Sequence, residues 1–159
     1  MANRFERFEQ IARRAHRFTE AAATKSDGAH PFDARNIHGD FPGEARRLFD
    51  NAHFALATLE AFKFVDEEMQ RIAKSSDFGT SLMMRALGGN PASVRLNPGM
   101  TTSEKNEQEG FKFLFAGAMQ GIRGPRAHTS GVSDDPDTCL DHLSLASMLL
   151  RKLDDAGLR

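Results

Sequence analysis

Residues 106–128 read Asn-Glu-Gln-Glu-Gly-Phe-Lys-Phe-Leu-Phe-Ala-Gly-Ala-Met-Gln-Gly-Ile-Arg-Gly-Pro-Arg-Ala-His. Apolar residues recur at Phe111, Leu114, Phe115, Ala118 and Ile122, every three or four positions. That spacing predicts a helix from Asn106 to Ile122 with one buried stripe. Gly124-Pro125 predicts its end, because glycine suits the left-handed residue that closes a helix and proline cannot continue the ladder. Arg123 then occupies the last helical turn, with Arg126 and His128 just beyond it. Two permanent cations and a titratable imidazole are gathered where the backbone leaves the helix.

The flanking segments carry matching signals. Thr101 with Glu104 forms a capping-box pattern, and Glu104, Glu107 and Glu109 crowd the end where the helix dipole favours negative charge. Downstream, 129–133 reads as a loop. Asp134-Asp135-Pro136 opens a last helix, with aspartate at the cap and proline in the first turn. Asp134, Asp135 and Asp137 are read as capping residues rather than a cation site. Leu140, Leu143, Leu145, Met148, Leu149, Leu150 and Leu153 give this helix a broad apolar face. The short connection predicts that it lies antiparallel to the 106–122 helix.

Further upstream, 43–74 reads as one long helix with a seam at Leu48, Ala52, Ala55, Leu59, Phe62, Met69 and Ile72. Beside the seam runs a second row, Phe49, His53, Leu56, Glu60 and Lys63, with a histidine, a carboxylate and an ammonium on one flank. Residues 75–79 read as a turn with Asp77 as cap, 80–87 as a short helix, and 93–100 as irregular with one short extended piece at 94–96. Gly88-Gly89-Asn90-Pro91 is no phosphate loop, since no Gly-Lys-Ser/Thr follows it. Residues 3–23 read as an amphipathic helix. Its Arg4, Arg7, Arg13, Arg14 and Arg17 form either a basic face for RNA or, with Glu6, Glu9 and Glu20 between them, a solvated face. Residues 24–42 read as loop, and their His30 and His38 have no acidic or thiol partner at ligand spacing. The expected division is an N-terminal helix and loop, 1–42, and a helical domain, 43–159. No strand pattern is present, so the fold class is an all-α bundle with an extra N-terminal helix.

A chain of 159 residues is long enough for one domain with a real core. Its net charge of −1 supplies no bulk attraction to nucleic acid or membrane, so any anionic ligand is met by a local patch. The single cysteine, Cys139, excludes an internal disulfide framework and paired-cysteine zinc motifs. No apolar run approaches the roughly 20 residues of a membrane span, and the N-terminus lacks a signal peptide's apolar centre. The expected location is the cytoplasm.

Arginine stays charged and its planar fork suits phosphate oxygens, while histidine moves protons near neutrality. Together they suffice for one reaction that uses no metal or cofactor: attack of an RNA 2′-hydroxyl on its own phosphodiester. Histidine acts as base or acid, and arginine stabilises charge on the phosphorane. A symmetric dimer would bring a second histidine to complete an acid–base pair. From spacing alone a structural role, with Arg123 on helix carbonyls and His128 satisfied internally, stays open.

The segment Arg123-Gly124-Pro125-Arg126-Ala127-His128 resembles the R-x4-6-H motif of the HEPN superfamily. It is most similar to a prokaryotic and phage family called Ymh. Three blocks carry the resemblance: Leu48 to Phe54 running on to Glu60-Ala61-Phe62-Lys63, Asn106 to His128, and Leu143 to Leu150. The resemblance spans roughly 44–155. It implies a helical bundle, frequent homodimers with paired motifs, and metal-independent ribonuclease activity in antiphage defence, abortive infection or toxin–antitoxin systems. Arg123 and His128 fall on the motif's catalytic positions. Arg126 is expected to contact phosphate, and His53, Glu60 and Lys63 fall on polar positions of the Ymh-like pattern, grouped with Arg126 as RNA-binding residues. One departure stands out: Gly124 replaces the polar residue, often asparagine, that follows the motif arginine. It supports the alternative of a non-catalytic module that binds RNA, nucleotide or a protein partner.

Overall fold

A computed structural model describes residues 29–129 and 131–159. The helix expected at 3–23 lies outside them. Residues from Pro31 to Arg159 form one compact unit, all-helical among the described residues apart from an isolated bridge between Gly89 and Ala92. In chain order the helices are α1 (Pro31–Ala34), α2 (Gly43–Asp50), α3 (Phe54–Ala73), α4 (Gly79–Leu87) and α5 (Thr102–Ala118). A π-helical turn (Met119–Arg123), α6 (Gly124–His128) and α7 (Pro136–Asp155) complete the unit. No helix among the described residues is long and apolar enough to cross a membrane.

α3 is the hub, packed against α2, α4, α7, the π turn and α6. Phe62, Val65 and Met69 are sealed on its inner face, opposite Leu143, Leu149, Leu150 and Leu153 of α7 and Met119 of the π turn. Each such side chain contributes about 1.5–3 kcal/mol when removed from water. α7 lies chiefly on α3, rather than on α5 as its short connection suggested. It meets α5 at the far end, where Lys152 bonds Glu107 at 2.5 Å and sits 5.0 Å over the Phe111 ring.

The single helix expected over 43–74 is broken at 51–53. Ala52 takes a left-handed φ of 61°. Its N–H bonds the Phe49 carbonyl at 3.0 Å, and the His53 N–H bonds that of Leu48 at 2.8 Å. These two bonds close α2 as a Schellman motif. The break resets the helical phase, so Ala57, Thr58, Ala61 and Asp66 are buried while Ala52 is exposed.

Residues 31–42, expected as part of a linker, belong to the folded body. Phe32 and Phe41 are buried, and Phe41 packs edge-on to Phe64 with centroids 6.0 Å apart. His38 is held by Asp154 at 2.8 Å through Nε2, and its Nδ1 accepts from the Asp40 N–H at 3.2 Å. Asp77 is not the cap of α4: it pairs with Arg85 at 2.6 Å. The first N–H of α4, on Gly79, is instead taken by Asp66 from α3 at 2.8 Å. On α5 the expected stripe holds at Phe115 and Ala118, but Leu114 is exposed, beside an exposed Phe113.

Candidate functional site

Gly124-Pro125 does not end the helix. The chain passes through the π turn and runs on as α6 to His128, with Gly124 in ordinary right-handed geometry. Proline inside an α-helix collides with the carbonyl four residues back and removes one hydrogen bond. The wider turn just upstream accommodates both, as π bulges do at helix distortions. The Gly124 N–H reaches five residues back to Met119, and a Cβ at position 124 would stand 3.3 Å from that carbonyl oxygen. Glycine at this position therefore fits the bulge.

The two arginines of this segment have opposite fates. Arg126, expected to face phosphate, turns inward, its side chain only 8% exposed. Its Nε and Nη2 grip Asp134 side-on at 2.7 and 2.5 Å, and Nη1 donates to the Ile122 carbonyl at 2.8 Å. It is a clamp between α6 and the loop before α7. Arg123 lies partly buried in the π turn. Its Nε is fully buried, and its guanidinium makes no hydrogen bond among the described residues. Its charge acts on Asp66 of α3. Burial pushes the carboxyl of Asp66 above its ordinary range, against the Gly79 N–H and the charge of Arg123, which lower it. His128 is exposed at the end of α6, and no bond joins it to Arg123.

Asp134 did not turn out to be a cap. Asp135 caps α7, accepting from the Thr138 N–H at 2.9 Å. The Asp134 side chain is 5% exposed, against Arg126. The Thr58 hydroxyl of α3 lies 3.5 Å from both Asp134 Oδ2 and Cys139 Sγ. His142, one turn into α7, places its Nδ1 3.3 Å from Arg126 Nη2 and 4.0 Å from Asp134 Oδ2. Burial and the Arg126 charge push its pKa down, while Asp134, Asp141 and Asp135 oppose them. Sequence reasoning missed His142; the available signal was a lone histidine among leucines on a core-facing helix.

Of the polar row beside the α3 seam, His53 shares a cleft with Asp134 of this corner. It precedes the first turn of α3, which has no side-chain cap, and lines a cleft of about 250 Å³ with Phe54, Leu56, Val132, Ser133 and Asp134. Glu60 and Lys63 pair with each other at 2.7 Å on the solvated flank. No group of three or more His, Cys, Asp or Glu among the described residues is placed to hold a metal ion.

The fold and the corner define an all-helical body in which a distorted penultimate helix turns one arginine to structure and leaves the Nε of another without a partner among the described residues. The family model Hypoth_Ymh, described as a protein of unknown function, matches residues 35–153, and the chain belongs to that family. No curated protein and no solved structure matches it.

Proposed function

We propose that the corner is a metal-independent ribonuclease centre of the HEPN type. In it Arg123 and His128 drive attack of an RNA 2′-hydroxyl on the adjacent phosphodiester. The observation that carries this reading is the contrast between Arg126, whose donors are committed to Asp134, Ile122 and His142, and Arg123, whose buried Nε has no hydrogen-bond partner among the described residues. A buried donor without a partner costs about 1–3 kcal/mol and calls for one from outside the fold. A phosphoryl oxygen is such a partner, and its charge grows in the transition state. His128, open to solvent, takes the 2′-hydroxyl proton. The bond from O2′ to phosphorus forms, the bond to O5′ breaks, and the proton passes to the departing 5′-oxygen. The products are a 2′,3′-cyclic phosphate and a 5′-hydroxyl. His53, at the uncapped start of α3, lines the neighbouring cleft as a backbone contact. The exposed Phe113 and Leu114 of α5 provide an apolar face through which two copies would pair. The setting that suits such an activity is antiphage defence or a toxin–antitoxin pair, with an antitoxin as partner.

The test is incubation of the protein with mixed cellular RNA and EDTA, with the ends mapped. Wild type is expected to leave cyclic phosphates, and Arg123→Ala and His128→Ala each to lose at least about 10²-fold in rate while folding normally. Cleavage retained by both variants would sink the assignment. A second reading, a module that binds RNA, nucleotide or protein without cutting, is favoured by Gly124 and by the lack of any bond between Arg123 and His128. Salt-sensitive RNA binding without cleavage, lost in Arg123→Ala, would select it. A solution mass of one chain, 17.6 kDa, would remove the dimer from either reading.

A further inference from the structure

His142 is the titratable group at the corner that the Arg123–His128 pair leaves unused. Arginine has donors and no acceptor, so the contact from Arg126 Nη2 at 3.3 Å requires the lone pair of His142 on Nδ1. The ring proton therefore sits on Nε2. That nitrogen has no hydrogen-bond partner among the described residues, and the side chain keeps 21% of its surface in solvent. Behind it the ring is backed by a rigid support. Arg126 grips Asp134 through two bonds, both side chains are almost sealed, and Arg126 also holds the Ile122 carbonyl. The imidazole is thus fixed in one tautomer with its single donor turned away from the clamp.

We propose that His142 is a second imidazole of the corner, presenting its Nε2–H to a phosphoryl oxygen of bound RNA, with Arg126 and Asp134 as the residues that position it. The proposal rests on the ribonuclease reading and adds a group to it. A neutral imidazole N–H is too weak an acid to surrender its proton to the leaving oxygen. His142 accordingly transfers nothing: the proton route through His128 is unchanged, and His142 stabilises charge on a non-bridging oxygen as the phosphorane forms. An arginine and a neutral histidine from one chain would then flank the phosphoryl group, while proton transfer stays with His128.

Two measurements test this together. Cleavage of RNA in EDTA is compared for wild type, His142→Ala and His142→Gln. The ¹⁵N-labelled wild type is separately titrated with an oligonucleotide whose 2′-hydroxyls are methylated, so that it binds but cannot react. His142→Ala is expected to lower kcat about 10²-fold, as loss of one oxyanion donor does, with KM little changed. Glutamine, whose amide N–H reaches close to the Nε2 position, is expected to restore most of that rate. The His142 Nε2–H signal should appear in the free protein and move on titration. Full activity in a folded His142→Ala, equal losses in Ala and Gln, or a protonated Nδ1 in the free protein would each overturn the proposal. If wild type does not cut RNA, the ribonuclease reading has failed on its own, and the titration still decides: a shifted Nε2–H retains His142 as a phosphate contact, and an unmoved one ends the proposal.

Discussion

Arg126 and Asp134 form a sealed pair, at 8% and 5% exposure, whereas Glu60 and Lys63, two turns into α3, form an open one at 29% and 45%. The same chemistry has different weight in these two settings. Removing one partner of a buried pair strands the other charge, at a cost of about 3–5 kcal/mol. Asp134→Ala is therefore expected to lower the urea unfolding free energy by that amount, and Lys63→Ala by no more than about 0.5 kcal/mol. Arg126→Met combined with Asp134→Leu should recover most of the loss, because neither charge is then left buried. A double variant no more stable than Asp134→Ala would show that the pair acts through something other than its charges. Reading Asp134 as a cap was reasonable locally, since it and Asp135 both precede a proline and only one can cap. What separates them is an arginine on the previous helix, and rules that look three or four residues along the chain do not see it. For the same reason Arg126 looked available to phosphate when only its own turn was in view.

The starts of α5 and α7 were legible from their immediate neighbours. The Thr101–Glu104 capping box forms as read, with the Glu104 N–H on Thr101 Oγ1 at 3.1 Å, and Pro136 stands in the first turn of α7 behind an aspartate cap. The break at 51–53 was not legible, because Ala52 is a good helix former and carries no stop signal. It adopts φ 61° because the Schellman bonds and the packing of Phe49 on Phe54, with ring centroids 5.2 Å apart, fix the chain's direction there. The left-handed region costs an L-residue about 1–2 kcal/mol, and glycine avoids that cost while losing some entropy on folding. Ala52→Gly should consequently stabilise the protein by about 0.5–1 kcal/mol, read as a rise in the urea midpoint at constant slope. A fall would mean that the alanine methyl makes a contact that outweighs the strain. Gly124-Pro125 shows the converse: a strong stop signal that the fold converts into a π turn, since Arg126 anchors the segment beyond it to Asp134.

At the scale of the whole molecule, the family match over 35–153 and the compact unit from Pro31 to Arg159 describe nearly the same body, and its all-helical class follows from periodicity alone. The packing order within it, with α3 as hub, depends on which apolar faces meet and is invisible to periodicity. Cys139 lies where α3 and α7 close over one another, fully buried, and burial pushes its thiol up to about 11. At pH 8 such a thiol carries far less reactive thiolate than one at its ordinary value of 9.0, before any steric exclusion is counted. Labelling by a disulfide reagent should therefore run at least about 100-fold slower in the native protein than in denaturant, and accelerate with urea along the slope of global unfolding. Asp134→Ala should speed it further, because Thr58 ties Cys139 to the Arg126 clamp through the same hydroxyl. Rapid labelling of the wild type at a rate independent of urea would mean that α7 opens locally from α3. The support behind His142 would then be too loose to hold a donor in place.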